Sequence, residues 1–220
     1  MRKIEYACAA ASLFIQHLHT ENFDRGMIAT FGNTFRVEQP FTGNERLLHA
    51  TLQGVMRSVT NEATRLYDSI ADVIESFWDQ GDRKRPWLLT VITDGKNYFD
   101  GGAYGTPTGI GRRIATRYNQ EASNFMFLIG VGEGDNIDVN ALNTVGNYGG
   151  IPTITIEAFP LLELVFLKIA LEVSTRVVGT QVNVGSMTWQ EVTRIRQISQ
   201  TPIDYAFLID RSGSMNDSGD

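Results

Sequence analysis

The chain has a single cysteine, Cys8, in 220 residues. An internal disulfide is therefore excluded, and the compartment reads as reducing or indifferent, with the cytoplasm as default. Histidine is scarce too, with three in the chain. His17-x-His19 has no cysteine partner to complete a zinc set, so it reads as a solvated helix end. Positive charge is not in excess: 19 Lys plus Arg against 25 Asp plus Glu give a net −6. That argues against a nucleic-acid backbone as main partner, because such binding needs a basic face. No run of about 18 uncharged apolar residues occurs, so nothing reads as a membrane span. The nearest stretch, 160–173, carries Glu163 and Lys168. The N-terminus has two basic residues and an Ala-rich run, yet Glu5 interrupts it and Gln16 and His17 follow. An amphipathic helix fits it better than a signal peptide.

What is present is a balanced globular composition, 42% hydrophobic and 20% charged. It suits one domain, or at most two small ones. A chain of this length buries roughly 70% of its unfolded surface and needs no metal or disulfide to fold.

Hydrophobic periodicity predicts a helix over 3–19, from Ile4, Ala7, Cys8, Ala11, Phe14, Ile15 and Leu18. Residues 26–32 read as a buried strand and 35–41 as a more exposed one ending near Pro40. A short helix is expected around Leu47–Val55 and a clear one over 65–79. WLLTVIT (87–93) and FMFLIGVG (125–132) are continuous apolar runs, the mark of strands covered on both faces. A helix near 110–122, a short one at Val139–Val145, a strand at 151–157 and an apolar helix at 160–177 follow. Residues 179–186 resemble a linker, 188–199 read as a helix, and IDYAFLI (203–209) is a last strand. This alternation predicts an α/β fold with a six-stranded, mostly parallel, doubly wound sheet and helices on both faces.

In such sheets ligands bind at the carboxyl ends of the strands. Asp94 stands directly behind one apolar run, and Asp210, Ser212 and Ser214 behind another. A carboxylate in that place is costly without a charge partner. Asp210-x-Ser212-x-Ser214 plus Asp94 offers only oxygen donors, which suits a hard divalent cation such as Mg²⁺ or Mn²⁺. The competing reading is an ordinary turn and cap, for which Asp, Ser and Gly are also the usual residues.

IDYAFLIDRSGSM (203–215) resembles the first strand and D-x-S-x-S metal loop of the von Willebrand factor A family. WLLTVITDG (87–95) resembles that family's fourth strand with its metal-site aspartate, and ATRLYDSI (63–70) its T-x-L-Y-D-A-I segment. The order of elements over 2–178 follows the family as well. The resemblance implies a Rossmann-like fold and a metal-ion-dependent adhesion site. Ser212 and Ser214 would bind the ion directly, Thr64 directly or through water, and Asp210 and Asp94 mainly through waters. It implies Mg²⁺, or Mn²⁺ or Ca²⁺, held mostly by neutral groups, so that an exposed Asp or Glu of a protein partner completes the octahedron. Tyr98, Phe99 and Tyr104, in the loop after Asp94, are expected near that partner, although a packed loop fits them equally.

One departure is large. The metal loop, which opens the family's domain, here ends the sequence, and the helix that follows it in the family begins it. Joined end to end, DRSGSMNDSGD–MRKIEYACAAASLFIQHL reads as the family's continuation, so the chain resembles a circularly permuted domain over 1–220. On that reading 1–178 runs from the first helix to the last, 179–186 is a junction, and 187–220 carries the original start at Met187. The other account is a slice of a tandem array in which the strand at 203–209 belongs to the next domain, so that 1–178 lacks its central strand and is completed within the chain or by swapping that strand between two copies. A monomer is expected, and a strand-swapped dimer is the alternative that the second account allows.

Other motifs carry less. Gly130-x-Gly132-x-Gly134 misses the dinucleotide spacing, and Glu133 and Asp135 oppose a pyrophosphate. Ser212 lacks the G-x-S-x-G elbow of a hydrolase. Cys8 reads as a small core residue. The function expected is therefore metal-dependent protein binding rather than catalysis. The alternatives are a metal-assisted phosphotransferase or hydrolase using Asp210 or Asp94, and a scaffold of the same fold without functional metal binding.

Overall fold

The computed structural model describes residues 1–17, 23–58, 63–94, 96–98, 103–120, 124–132, 137–177 and 202–218, with 17 and 170–177 as backbone only. The expected junction at 179–186 and helix at 188–199 lie outside the described residues, as do Phe99 and His19.

Chain order runs α1 (Lys3–His17), β1 (Arg25–Phe31), β2 (Phe35–Thr42), α2 (Glu45–Arg57), α3 (Leu66–Gln80), β3 (Trp87–Thr93), α4 (Pro107–Arg113), β4 (Phe125–Val131), α5 (Val139–Gly149), β5 (Thr153–Ile156), α6 (Leu162–Val177) and β6 (Asp204–Asp210). The helix expected near 110–122 starts earlier. Thr106 caps it through Gly109 N–H and Pro107 opens its first turn. It then widens into a π-helical turn over Ile114–Tyr118. The start of the helix expected from 160 is a short 3₁₀ turn, Phe159–Leu161, that leads into α6. Elsewhere the ends shift by a few residues, as fits weak end signals.

The six strands form one sheet in the order β2-β1-β6-β3-β4-β5. β2 pairs antiparallel with β1, and every other pairing is parallel. β2 alternates half-buried and exposed residues and accepts Pro40 because it is an edge strand. The last strand in the sequence is thus central in the sheet. β6 is hydrogen-bonded on both sides, with Phe207 level with Ile28 of β1 and Thr90 of β3.

All seven residues of β6 are buried, and the pleat sends them alternately to two cores. Tyr205, Phe207 and Ile209 join α1, α2 and α6 on one face. Ala206 and Leu208 join α3, α4 and α5 on the other. Phe14 of α1 packs edge-on to both Phe207 and Phe166, with centroids 5.4 and 6.0 Å away. Aromatic pairs in this geometry add to the area they bury. Cys8 lies in the same core with no exposed surface, and burial pushes its thiol up to about 12. It is a packing residue, not a nucleophile.

The two termini of the described chain meet. Lys3 N–H donates to the Asp217 carbonyl at 3.0 Å, and Arg2 and Ser218 form an isolated antiparallel bridge. Residues 213–216 turn as a single 3₁₀ helix between them and β6. No helix among the described residues is long and apolar enough to cross a membrane.

Gly26 of β1 is level with Tyr205, and a Cβ there would sit 2.5 Å from the tyrosine ring. The Tyr205 hydroxyl is itself buried and has no hydrogen-bond partner among the described residues. Tyr205→Phe removes that unsatisfied group and keeps the ring, so it should leave stability unchanged or raise it by about 1 kcal/mol. Gly26→Ala pushes a methyl into the ring and should cost about 1–3 kcal/mol. Urea unfolding of both variants checks the pair, and a marked loss in Tyr205→Phe would contradict it.

Candidate metal centre at the carboxyl edge of the sheet

Four segments converge where β1, β6 and β3 end. Their backbones hold one another: Arg211 N–H donates to the Phe31 carbonyl at 2.8 Å and Arg65 N–H to Gly32 at 2.9 Å. Tyr98 N–H donates to the Thr64 carbonyl at 3.0 Å, and Asn97 Oδ1 accepts the Leu66 N–H at 3.0 Å. Asn97 thereby satisfies one of the free amides at the start of α3, where Arg65 makes no side-chain cap. Residue 64 is thus tied to the loop that follows Asp94.

The loop after β6 is pinned from within. Met215 inserts fully into the α1 core, while Ser214 next to it faces solvent and Ser212 is buried. Asp210 Oδ1 accepts the Ser212 N–H at 2.8 Å, a local turn of the kind aspartate favours. Its Oδ2 accepts the Thr93 hydroxyl at 2.8 Å.

The predicted oxygen donors form a continuous chain. Ser212 Oγ lies 3.1 Å from Ser214 Oγ, which donates to Asp94 Oδ1 at 2.9 Å. Asp210, Ser212, Ser214 and Asp94 are therefore brought together from positions up to 120 residues apart. Thr64 is buried at the same edge, but its hydroxyl makes no hydrogen bond with these four. Of the aromatic residues expected near a partner, Tyr98 is 68% exposed. Tyr104 is turned inward: its N–H donates to Asp68 Oδ1 at 3.1 Å and its ring packs partly against the α3 core.

The electrostatics of β6 are asymmetric. Both of its end residues are fully buried aspartates. Asp204 is compensated: Arg25 Nε donates to it at 2.9 Å, Asp82 N–H at 2.7 Å, and Arg85 stands 3.6 Å away. Asp210 has no cationic partner among the described residues, and its nearest charge is Asp94. Burial, then the charge of Asp94, pushes the Asp210 carboxyl up to about 7 against the hydrogen bonds from Ser212 and Thr93 that favour its ionised form. Two sequence-distant residues complete the picture. Thr93 is a direct partner of Asp210, and Lys3 Nζ pairs with Asp94 Oδ2 at 2.8 Å. The cost of a buried strand-end aspartate signals that some cation must answer Asp94, but only the fold selects Lys3.

These residues fit a hard divalent ion. Hydroxyl and carboxylate oxygens already in mutual contact, one of them open to solvent, match the donor type that such ions take, and an uncompensated buried carboxylate stands behind them. Among the described residues no three His, Cys, Asp or Glu cluster together, so a metal here would depend on the serine and threonine hydroxyls.

No protein-family model matches the chain, and no curated protein matches it. Solved structures do. The conserved hypothetical protein BatB from Bacteroides thetaiotaomicron superposes with a TM-score of 0.56 at 16% identity, over 76% of this chain and 86% of that one. A von Willebrand factor type A protein from Catenulispora acidiphila gives 0.60 at 16% identity, over 77% and 38%. Proximal thread matrix protein 1 from the mussel byssus, in a structure with a zinc-occupied MIDAS motif, gives 0.61 at 15% identity, over 78% and 43%. The chain spans less than half the length of the last two. At such identities the likeness concerns the fold alone, and the fold is von Willebrand factor A-like.

The raised Asp210 carboxyl sets a pH dependence for the metal-free protein. The folded state holds this proton more tightly than the unfolded chain, whose carboxyl titrates near 3.9. The contribution to stability therefore grows as pH falls from about 7 towards 4 and is absent above 7, amounting to about 4 kcal/mol at most. Asp210→Asn, uncharged throughout, should be the more stable protein at pH 8 and lose this part of the slope. Chelator-treated samples unfolded in urea at pH 5 and pH 8 test it. Identical slopes in variant and parent would contradict the assignment.

Proposed function

We propose that this chain is a divalent-metal-dependent protein-interaction module, acting by binding and not by catalysis. The observation that carries the reading is the contact chain Ser212–Ser214–Asp94 with buried Asp210 behind it, at the carboxyl edge of a von Willebrand factor A-like sheet. Ser212 and Ser214 would hold Mg²⁺ or Mn²⁺, Thr64 would join them directly or through water, and Asp94 and Asp210 would act mainly as acceptors of its waters. A bound ion would supply an open coordination position to an acidic side chain of a protein partner. The chain's own residues do the rest. Asp210 fixes the Ser212 amide, Met215 anchors the loop, and the exposed Tyr98 ring offers the partner an apolar contact. Neutral hydroxyls leave the ion's charge largely unquenched, which favours capture of an outside carboxylate. An enzyme would need a general base within reach of substrate and a cradle for phosphate, and Asp210, the carboxylate whose pKa is raised, is fully buried behind the loop.

The order of elements belongs to the same proposal. β6 lies between β1 and β3, and its loop runs against the first turn of α1. Both features support a circularly permuted domain, and an original start near Met187 is part of the same proposal. Peptide mapping of the natural gene product tests it, and the present order found there would overturn it.

Thermal unfolding with and without Mg²⁺ or Mn²⁺ tests the metal. At a hundredfold excess over Kd, binding should stabilise the wild type by about 2.7 kcal/mol. Ser214→Ala, at a solvent-facing position, should fold normally and lose most of that gain. Binding of a peptide with one exposed Glu should then require the ion and fail when that Glu is Gln. An unchanged melting temperature in wild type would eliminate metal capture, and phosphatase activity lost in Asp210→Ala would favour the enzyme.

A further inference from the structure

Among the described residues Asp94 is the one carboxylate of the cluster with an ion pair, and both its oxygens are engaged. Oδ1 accepts from Ser214 at 2.9 Å, and Oδ2 holds Lys3 Nζ at 2.8 Å. The carboxylate side chain is 1% exposed, whereas the lysine side chain is 22% exposed, so the lysine reaches in from the rim. Its position is fixed from two sides. Lys3 N–H donates to the Asp217 carbonyl, which ties the first turn of α1 to the end of the metal loop. The ammonium also stands 5.9 Å from the centre of the Phe159 ring, a cation–π distance.

We propose that Lys3 is the resident cation of this site and sets its metal affinity. The inference rests on the metal-capture reading above. A tethered ammonium neutralises Asp94, the carboxylate that accepts from the Ser214 hydroxyl. A divalent ion entering between Ser212, Ser214 and Asp94 meets that positive charge at close range, where attraction to Asp94 turns into competition with Lys3. To bind, it must displace the lysine, whose long flexible stem and partial exposure allow it to swing into solvent. Asp210 lies outside the lysine's contacts and keeps its uncompensated place behind the loop. The site is then graded: Lys3 stabilises the metal-free loop, and only an ion at sufficient concentration replaces it.

The test is Mn²⁺ binding, followed by electron paramagnetic resonance and by calorimetry, to the full chain as wild type, Lys3→Met, Lys3→Gln and Lys3→Arg. Met and Gln keep the stem and the helix propensity and remove the charge, and two neutral variants guard against one that folds poorly. Both neutral variants should bind Mn²⁺ at least tenfold more tightly than wild type, with Lys3→Arg close to wild type. The rise should be larger in low salt than at 0.5 M NaCl, as competition between charges requires. Equal affinity in wild type and the neutral variants overturns the role of Lys3 and leaves metal capture standing. Binding in the neutral variants but none in wild type supports Lys3 as resident cation and overturns metal capture for the unaltered chain. No binding in any of the four overturns both.

Discussion

The position of β6 between β1 and β3 is the constraint on which the molecule depends. A strand hydrogen-bonded on both edges and covered on both faces must be apolar throughout its middle, and Tyr205–Ile209 is. Its alternate side chains join the two cores, so α1 and α6 meet it on one face and α3 on the other. The same placement carries the loop 211–216 to the sheet's carboxyl edge, beside the ends of β1 and β3. Without it Asp94 would have neither Ser214 nor Lys3 for company.

The two ends of that strand answer a single electrostatic problem in opposite ways. Asp204 is buried and neutralised by the arginines of β1 and of the turn before β3. Asp210 is buried and left with a hydroxyl, an amide and a neighbouring carboxylate. A fold under pressure for stability alone has no use for the second arrangement, because an uncompensated buried carboxylate costs free energy. It is intelligible as charge kept in reserve at the edge where α/β sheets bind their ligands. The Lys3–Asp94 pair fits the same logic, since it shields the more accessible of the two carboxylates and leaves the deeper one alone.

Much of this was legible in the order of residues. The apolar runs at 87–93 and 203–209 read as covered strands, and an aspartate follows each. The D-x-S-x-S spacing declared oxygen donors on a turn. The helix of 107–118 was harder to delimit, because Thr106 and Pro107 start it in a glycine-rich stretch where periodicity is weak, and a π turn ends it. Tyr104 was drawn towards the site by its position in the loop, yet its amide is held by Asp68 and its ring by the α3 core. Loop side chains follow tertiary contacts that no local pattern encodes.

The sequence by itself determined the elements, their apolar faces and the chemical type of the candidate site. Those properties are local, set by periods of two and 3.6 residues and by which side chains carry oxygen. Tertiary structure alone decided that Ser214 meets Asp94 and that Lys3 answers it. Such pairings join residues far apart in the chain. They follow from which edge each strand leaves free and which face each helix must cover, and these are settled only when the whole sheet is assembled.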